Sequence, residues 1–182
     1  MAHDATLART LFQQGDIREA IARLAAALAK DFHGKPLLLV GVLKGALYVT
    51  ADLTRALCSV AAGPSEIRID YMAVSSYGNA NRSSGEVRML KDTKGDVAGK
   101  NVVLVEDIVD DGLTLAYLQR VLRARGPAEL KSCVLLDKPY HRRADVRVDY
   151  LGMTAPDVFV VGYGLDYQER YRNLPYLAEL QT

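Results

Sequence analysis

A chain of 182 residues, 49% hydrophobic and 25% charged, has the composition of an ordinary soluble globular protein, far from the disordered regime, and is long enough to bury a sizeable core. Its formal charge of +1 gives no bulk attraction for nucleic acid or a membrane surface, so any charge-dependent chemistry has to be local. No linker, repeat or low-complexity run divides residues 1–182, and one domain is expected.

The start, MAHDATLART, lacks a basic segment followed by an apolar run, and no stretch approaches bilayer-spanning length, so the cytoplasm is the default compartment. Cys58 and Cys133 lie far apart in apolar settings, RALCSV and KSCVLL, and both are expected to be reduced, buried thiols. His3, His33 and His141 are equally scattered, with no spacing suited to a transition metal.

Asp16 with Glu19 resembles a capping box, and Ile17, Ile21, Leu24 and Leu28 then recur at helical spacing. PLLLVGV (36–42) reads as a buried strand, followed by a turn and helix over LKGALYVTADLTRAL. EIRIDYMAVSSY (66–77) is rich in strand formers and GNANRSSG (78–85) has no periodicity, so a mobile loop between two strands is expected before GEVRML. NVVLVE (101–106) is another buried strand, and Leu115, Leu118 and Leu122 mark the helix after it. AELKSCVLLD and VFVVGYG (158–164) read as two more strands. This alternation predicts the α/β class with a mainly parallel sheet, whose ligands bind at the carboxyl ends of strands.

At one such end, Glu106, Asp107, Asp110 and Asp111 precede Gly112 and Thr114. The turn from Asp110 to Thr114 opens a helix, where free amides and the helix dipole favour an anion. Carboxylates beside a phosphate repel it by roughly 1 kcal/mol at about 4 Å in water, and by more near protein. A cation has to sit between them, and Mg²⁺, which takes one or two carboxylates plus substrate oxygens, suits a sugar phosphate there. Taken alone, the same carboxylates also read as helix caps and solvent-facing charges.

VVLVEDIVDDGLT resembles the 5-phosphoribosyl 1-pyrophosphate (PRPP) motif of type I phosphoribosyltransferases. GVLKGALYVTADL (41–53), SSYGNANRSSGEV (75–87), VLLDKP (134–139) and VFVVGYGLDYQERYRNLP (158–175) resemble segments of the hypoxanthine-guanine phosphoribosyltransferases, in that family's order, from about Asp16 to Pro175. The resemblance implies the type I phosphoribosyltransferase fold, a central mainly parallel sheet flanked by helices with a small hood and a flexible active-site loop. It implies Mg²⁺-dependent transfer of the phosphoribosyl group from PRPP to hypoxanthine, and by extension guanine, giving IMP or GMP and pyrophosphate in purine salvage. A homo-oligomer, dimer or tetramer, is implied as well.

By the same resemblance, Glu106 and Asp107 contact the ribose hydroxyls directly or through metal, with Asp166 as a further metal ligand. Asp110 faces the purine N7 as general base, and the turn Asp110, Asp111, Gly112, Leu113, Thr114 cradles the 5'-phosphate. Leu43, Lys44 and Gly45 form the pyrophosphate loop, whose Leu-Lys peptide can be cis in the family, and Arg172 reaches the pyrophosphate. Lys138 donates to the exocyclic oxygen of a 6-oxopurine, which disfavours adenine. Phe159 stacks on the base and Val160 offers backbone groups to its edge, beside Asp166. Ser76 and Tyr77 begin the loop that closes over the site. Without the family match, Lys44, Asp166 and Arg172 read as surface charges, Lys138 as a strand-end lysine and Phe159 as core.

Asp111 departs from the pattern, because the family usually has Thr or Ser there and a carboxylate cannot donate to phosphate. Either it turns away to cap the helix, or it weakens phosphate binding. Leu113 stands where some members carry Lys. A regulatory protein that senses PRPP or nucleotide on the same fold is the rival reading; Asp110, Lys138 and Asp166 favour the enzyme, since a sensor needs neither a base nor a purine-specific donor.

Overall fold

Alternate residues of two apolar segments point into two different cores, and this places them at the middle of a sheet covered on both faces. The computed structural model describes residues 5–77 and 86–181. Its elements are β1 (Thr6–Phe12), α1 (Gln14–Asp31), β2 (Pro36–Leu43), α2 (Leu47–Cys58), β3 (Glu66–Tyr77), β4 (Glu86–Lys91), β5 (Asn101–Val109), α3 (Leu113–Arg123), β6 (Glu129–Asp137), β7 (Tyr150–Thr154), β8 (Val160–Val161) and β9 (Leu177–Gln181). Leu37 and Leu39 of β2, with Val103 and Val105 of β5, pack against α1 and α2. Leu38, Val40 and Val42, with Val102 and Leu104, pack against α3. Period-two alternation in a doubly covered strand requires this split.

The main sheet runs β4-β3-β2-β5-β6-β7, parallel from β3 to β7, with β4 antiparallel to β3 at one edge. A three-stranded antiparallel sheet, β1-β9-β8, forms the hood. Among the described residues, no helix is long and apolar enough to cross a membrane.

Several expectations need correction. VFVVGYG contributes only the two residues of β8 to a strand, and that strand joins the hood; Gly162 and Gly164, at φ of 101° and 104°, turn the chain out of extended backbone. The strand expected to stop at Glu106 continues to Val109. β1, β7 and β9 were not anticipated. The cap of α1 is Gln13, whose backbone N–H donates to Asp16 Oδ2 at 2.7 Å, so Asp16 serves as the acidic partner three residues into the motif. Cys133 is buried, but Cys58 at the end of α2 is exposed, because helical spacing turns it away from the Leu53 and Leu57 face. GNANRSSG (78–85) lies outside the described residues.

Candidate active site

β5 delivers Glu106 and Asp107 to the carboxyl end of the sheet, and the chain then turns through Asp110 to Gly112 into α3. Glu106 is 5% exposed; burial and the neighbouring Asp107 charge push its carboxyl well above the usual range. Burial also pushes Asp107 up, to about 6, although the Ile108 N–H donates to its Oδ1 at 2.9 Å. Burial thus disfavours the charged form of both adjacent carboxylates, and an incoming cation would restore it. In the turn, the Leu113 N–H donates to Asp111 Oδ1 at 3.0 Å, and the Arg143 guanidinium lies 4.0 Å from Asp111 Oδ2. Asp111, Gly112 and Thr114 line a cavity of about 260 Å³ with Glu106, Asp107 and Asp110.

β2 ends beside this turn in a cis Leu43-Lys44 peptide. A side chain at Gly45 would collide with the Asp107 carboxylate, and one at Gly164 with the Gly45 carbonyl oxygen, so strand end, loop and hood meet with no room for a Cβ. Lys44 Nζ donates to Glu169 Oε2 at 2.9 Å. Arg172 donates through Nη1 to the Gly164 carbonyl and pairs through Nη2 with Asp166 Oδ1, both at 2.7 Å. Its Nε is buried and has no hydrogen-bond partner among the described residues, a donor that a ligand oxygen would satisfy.

On the third side, β6 ends at Asp137, and Lys138 follows with only 9% of its surface exposed. Its ammonium stands 3.4 Å from Asp110 Oδ2 and 4.0 Å from Asp157 Oδ1. Phe159 is 46% exposed and meets Tyr167 edge-on at 5.7 Å, so it is a free aromatic face rather than core.

One cavity of about 420 Å³ is lined by Leu43, Lys44, Gly45, Glu106, Asp107, Asp110, Thr114, Lys138, Phe159, Val160, Asp166 and Arg172. Residues from four separate stretches of sequence therefore converge at the carboxyl ends of β2, β5 and β6. Leu113 lies at the start of α3 with its amide taken by Asp111, and Ser76 and Tyr77 close β3 opposite Val87 and Glu86 of β4. A larger cavity, about 530 Å³, opens between α1 and α2, but Ile17, Ile21, Ala25 and Val60 wall it and it contains no comparable set of charges.

The phosphoribosyl transferase domain model matches residues 8–168. This chain belongs to the phosphoribosyltransferase family. It is 44% identical to the hypoxanthine-guanine phosphoribosyltransferase of Bacillus subtilis (strain 168), across 100% of this chain and 96% of that one. A solved hypoxanthine phosphoribosyltransferase from Staphylococcus aureus superimposes with a TM-score of 0.87 at 42% identity, covering 96% of this chain and 92% of that one. The Trypanosoma cruzi hypoxanthine phosphoribosyl transferase, solved to study the role of its C-terminal region in oligomeric state and activity, superimposes at 0.88 with 41% identity over 100% and 94% of the two chains.

Within this phosphoribosyltransferase, three charged residues at the site were not read from the sequence. Glu169 bridges Lys44 and Arg172, its Oε1 lying 3.3 Å from Arg172 Nη2. Asp157 faces both Lys138 and His141. Arg142 pairs with Asp137 and donates to the Asp110 carbonyl at 3.0 Å, tying the turn after β6 to the acidic turn. The i, i+3 spacing of Glu169 and Arg172 was the one legible signal; the others are charges in turns, where sequence carries no periodicity.

Proposed function

We propose that this chain transfers the 5-phosphoribosyl group of PRPP to hypoxanthine and guanine, releasing pyrophosphate and the nucleoside monophosphate. The observation that carries the reading is one cavity containing an amide turn, an acidic pair, two cations and a lysine-carboxylate pair, each suited to a different part of the two substrates. The amides of the turn from Asp111 to Thr114, except that of Leu113, which Asp111 Oδ1 occupies, receive the 5'-phosphate. Lys44 and Arg172 hold the pyrophosphate, with the Arg172 Nε supplying a donor that otherwise lacks an acceptor.

The buried acidic pair fits Mg²⁺: Glu106 and Asp107, with Asp166, would hold it, and the ion would neutralise pyrophosphate charge as the C1'–O bond to pyrophosphate breaks and the N9–C1' bond forms. Among the described residues no group of three or more His, Cys, Asp or Glu side chains is arranged to hold a metal ion by itself, so the ion would need substrate oxygens as further ligands. The rest falls to the chain itself. Phe159 stacks on the base, and backbone groups of Val160 meet its edge. Lys138 donates to the exocyclic oxygen of a 6-oxopurine and has no acceptor for the adenine amino group. Asp110 accepts the proton at N7 as the base becomes nucleophilic at N9, and its contact with Lys138 orients it.

We also propose that residues 1–182 act as one domain within a homo-oligomer, a dimer or tetramer. The test of function is pyrophosphate release from Mg²⁺-PRPP with hypoxanthine, guanine, xanthine and adenine. Turnover is expected with the 6-oxopurines only, and Asp110→Asn is expected to lower kcat by at least about 100-fold. Adenine turnover equal to that of hypoxanthine would overturn the role given to Lys138.

A further inference from the structure

We propose that Glu169 is an internal stand-in for pyrophosphate: its carboxylate spans Lys44 and Arg172 in the ligand-free protein and gives way to the diphosphate, which limits how tightly that product is held. The inference rests on the pyrophosphate site described above. One oxygen of Glu169 lies 2.9 Å from Lys44 Nζ and the other 3.3 Å from Arg172 Nη2, so a single carboxylate joins two cations from distant parts of the chain. Lys44, and then Arg172, hold its carboxyl below the usual range.

The backbone is committed to this placement. Gln168, Glu169 and Tyr171 are non-glycine residues at φ of 52°, 63° and 76°, a region such residues seldom enter. The turn is closed by paired backbone bonds between Tyr167 and Arg170 and by the Glu169 N–H donating to Asp166 Oδ2 at 2.8 Å. Yet the Glu169 side chain is 65% exposed.

Removing the carboxylate has two opposed effects. It frees Lys44 to wander, which weakens an incoming anion, and it deletes a competing anion, which strengthens it. The second effect wins. Lys44 is already 67% exposed and is only loosely ordered by an exposed ion pair. Arg172 keeps its place without Glu169, through the Gly164 carbonyl and Asp166.

The experiment titrates Mg²⁺-pyrophosphate calorimetrically into the full chain and into Glu169→Gln. The variant is expected to bind about three- to tenfold more tightly, the range that one or two exposed ion pairs represent. Product inhibition by pyrophosphate should strengthen in parallel, while affinity for IMP, which has no pyrophosphate, stays within about twofold. Glu169→Asp, a methylene too short to span both cations, should lie between. Unchanged or weaker pyrophosphate binding in Glu169→Gln would overturn the proposal and leave Glu169 as a surface bridge. Titration needs no turnover, so an inactive wild-type chain would count against the proposed reaction and leave this result readable.

Discussion

Asp111 puts a carboxylate into a turn whose amides are arranged for an anion. The N-cap of α3 is Gly112 rather than Asp111, but Asp111 Oδ1 accepts the Leu113 N–H, and Arg143 stands near its other oxygen. That amide is one a phosphate would otherwise reach, and the residual charge opposes a dianion. Asp111→Ser removes the charge and adds a donor, so the KM for PRPP is expected to fall about three- to tenfold, with a smaller change in kcat. Steady-state kinetics at fixed hypoxanthine checks this, and a higher KM would mean that Arg143 needs its partner. Asp107 supports a second prediction. Its folded pKa of about 6 exceeds the ordinary aspartate value of 3.8, so the folded, metal-free protein binds more protons than the unfolded chain between about pH 4 and 6. Stability contributed by protonated Asp107 is therefore lost as pH rises through that window. The melting temperature of the metal-free wild type should match that of Asp107→Asn near pH 4 and fall at least about 2 °C below it by pH 7. An offset constant from pH 4 to 7 would show that folding leaves Asp107 unperturbed. Asp107, like Asp110 and Lys138, could be picked out from the sequence because it lies close to the carboxyl end of a buried apolar strand. Glu169 could be read only through its i, i+3 spacing with Arg172, and Asp157 not at all, because Lys44, Lys138 and His141 come from other segments of the chain.

At the scale of elements, the site depends on close contact among three segments: the loop after β2, β5 and the hood. Gly164 is held at φ 104° against the Gly45 carbonyl, and Gly45 in turn leaves room only for the Asp107 carboxylate. Gly164→Ala strains the hood segment and drives a methyl into the loop of Leu43, Lys44 and Gly45. A displacement of about 1 Å there is expected to cost at least about 100-fold in kcat/KM. Gly34→Ala is the control: its φ is also positive, 70°, but nothing lies within 4 Å, so it should lose some stability and keep its turnover. Kinetics and melting curves on both variants separate strain from collision; equal losses in the two would refute the collision argument. β2, β5 and β6 were legible because a strand buried on both faces is a continuous apolar run. β1 was not, since its first five residues are exposed and its partner, β9, lies at the other end of the sequence. β8 was overextended because VFVVGYG is apolar throughout, and only the paired backbone shows that two residues of it form a strand.

For the whole molecule, the question is whether the hood and the main sheet unfold together. Val160, Tyr163, Leu165 and Leu177 from the hood region share one buried cluster with α1, α2, β2, β5 and β6. Leu177 is fully buried in β9, a strand that pairs with β1 just before the chain enters α1. The hood is thus joined to the main sheet by shared core, and both ends of the chain are tied into it. A single cooperative transition is expected, with fluorescence and circular dichroism melting curves coincident. Leu177→Ala deletes a buried side chain from the shared cluster at a cost of about 2 to 4 kcal/mol, so the whole transition should move down by about 5 to 15 °C. If the hood were an independent unit, the variant would split the curve, with an early hood transition and a main-sheet transition at the wild-type temperature. The active site would then be lost at the first of these, because Phe159, Asp166 and Arg172 line its cavity from the hood side. In a single unit, loss of turnover on heating should track the one melting curve in both the wild type and Leu177→Ala.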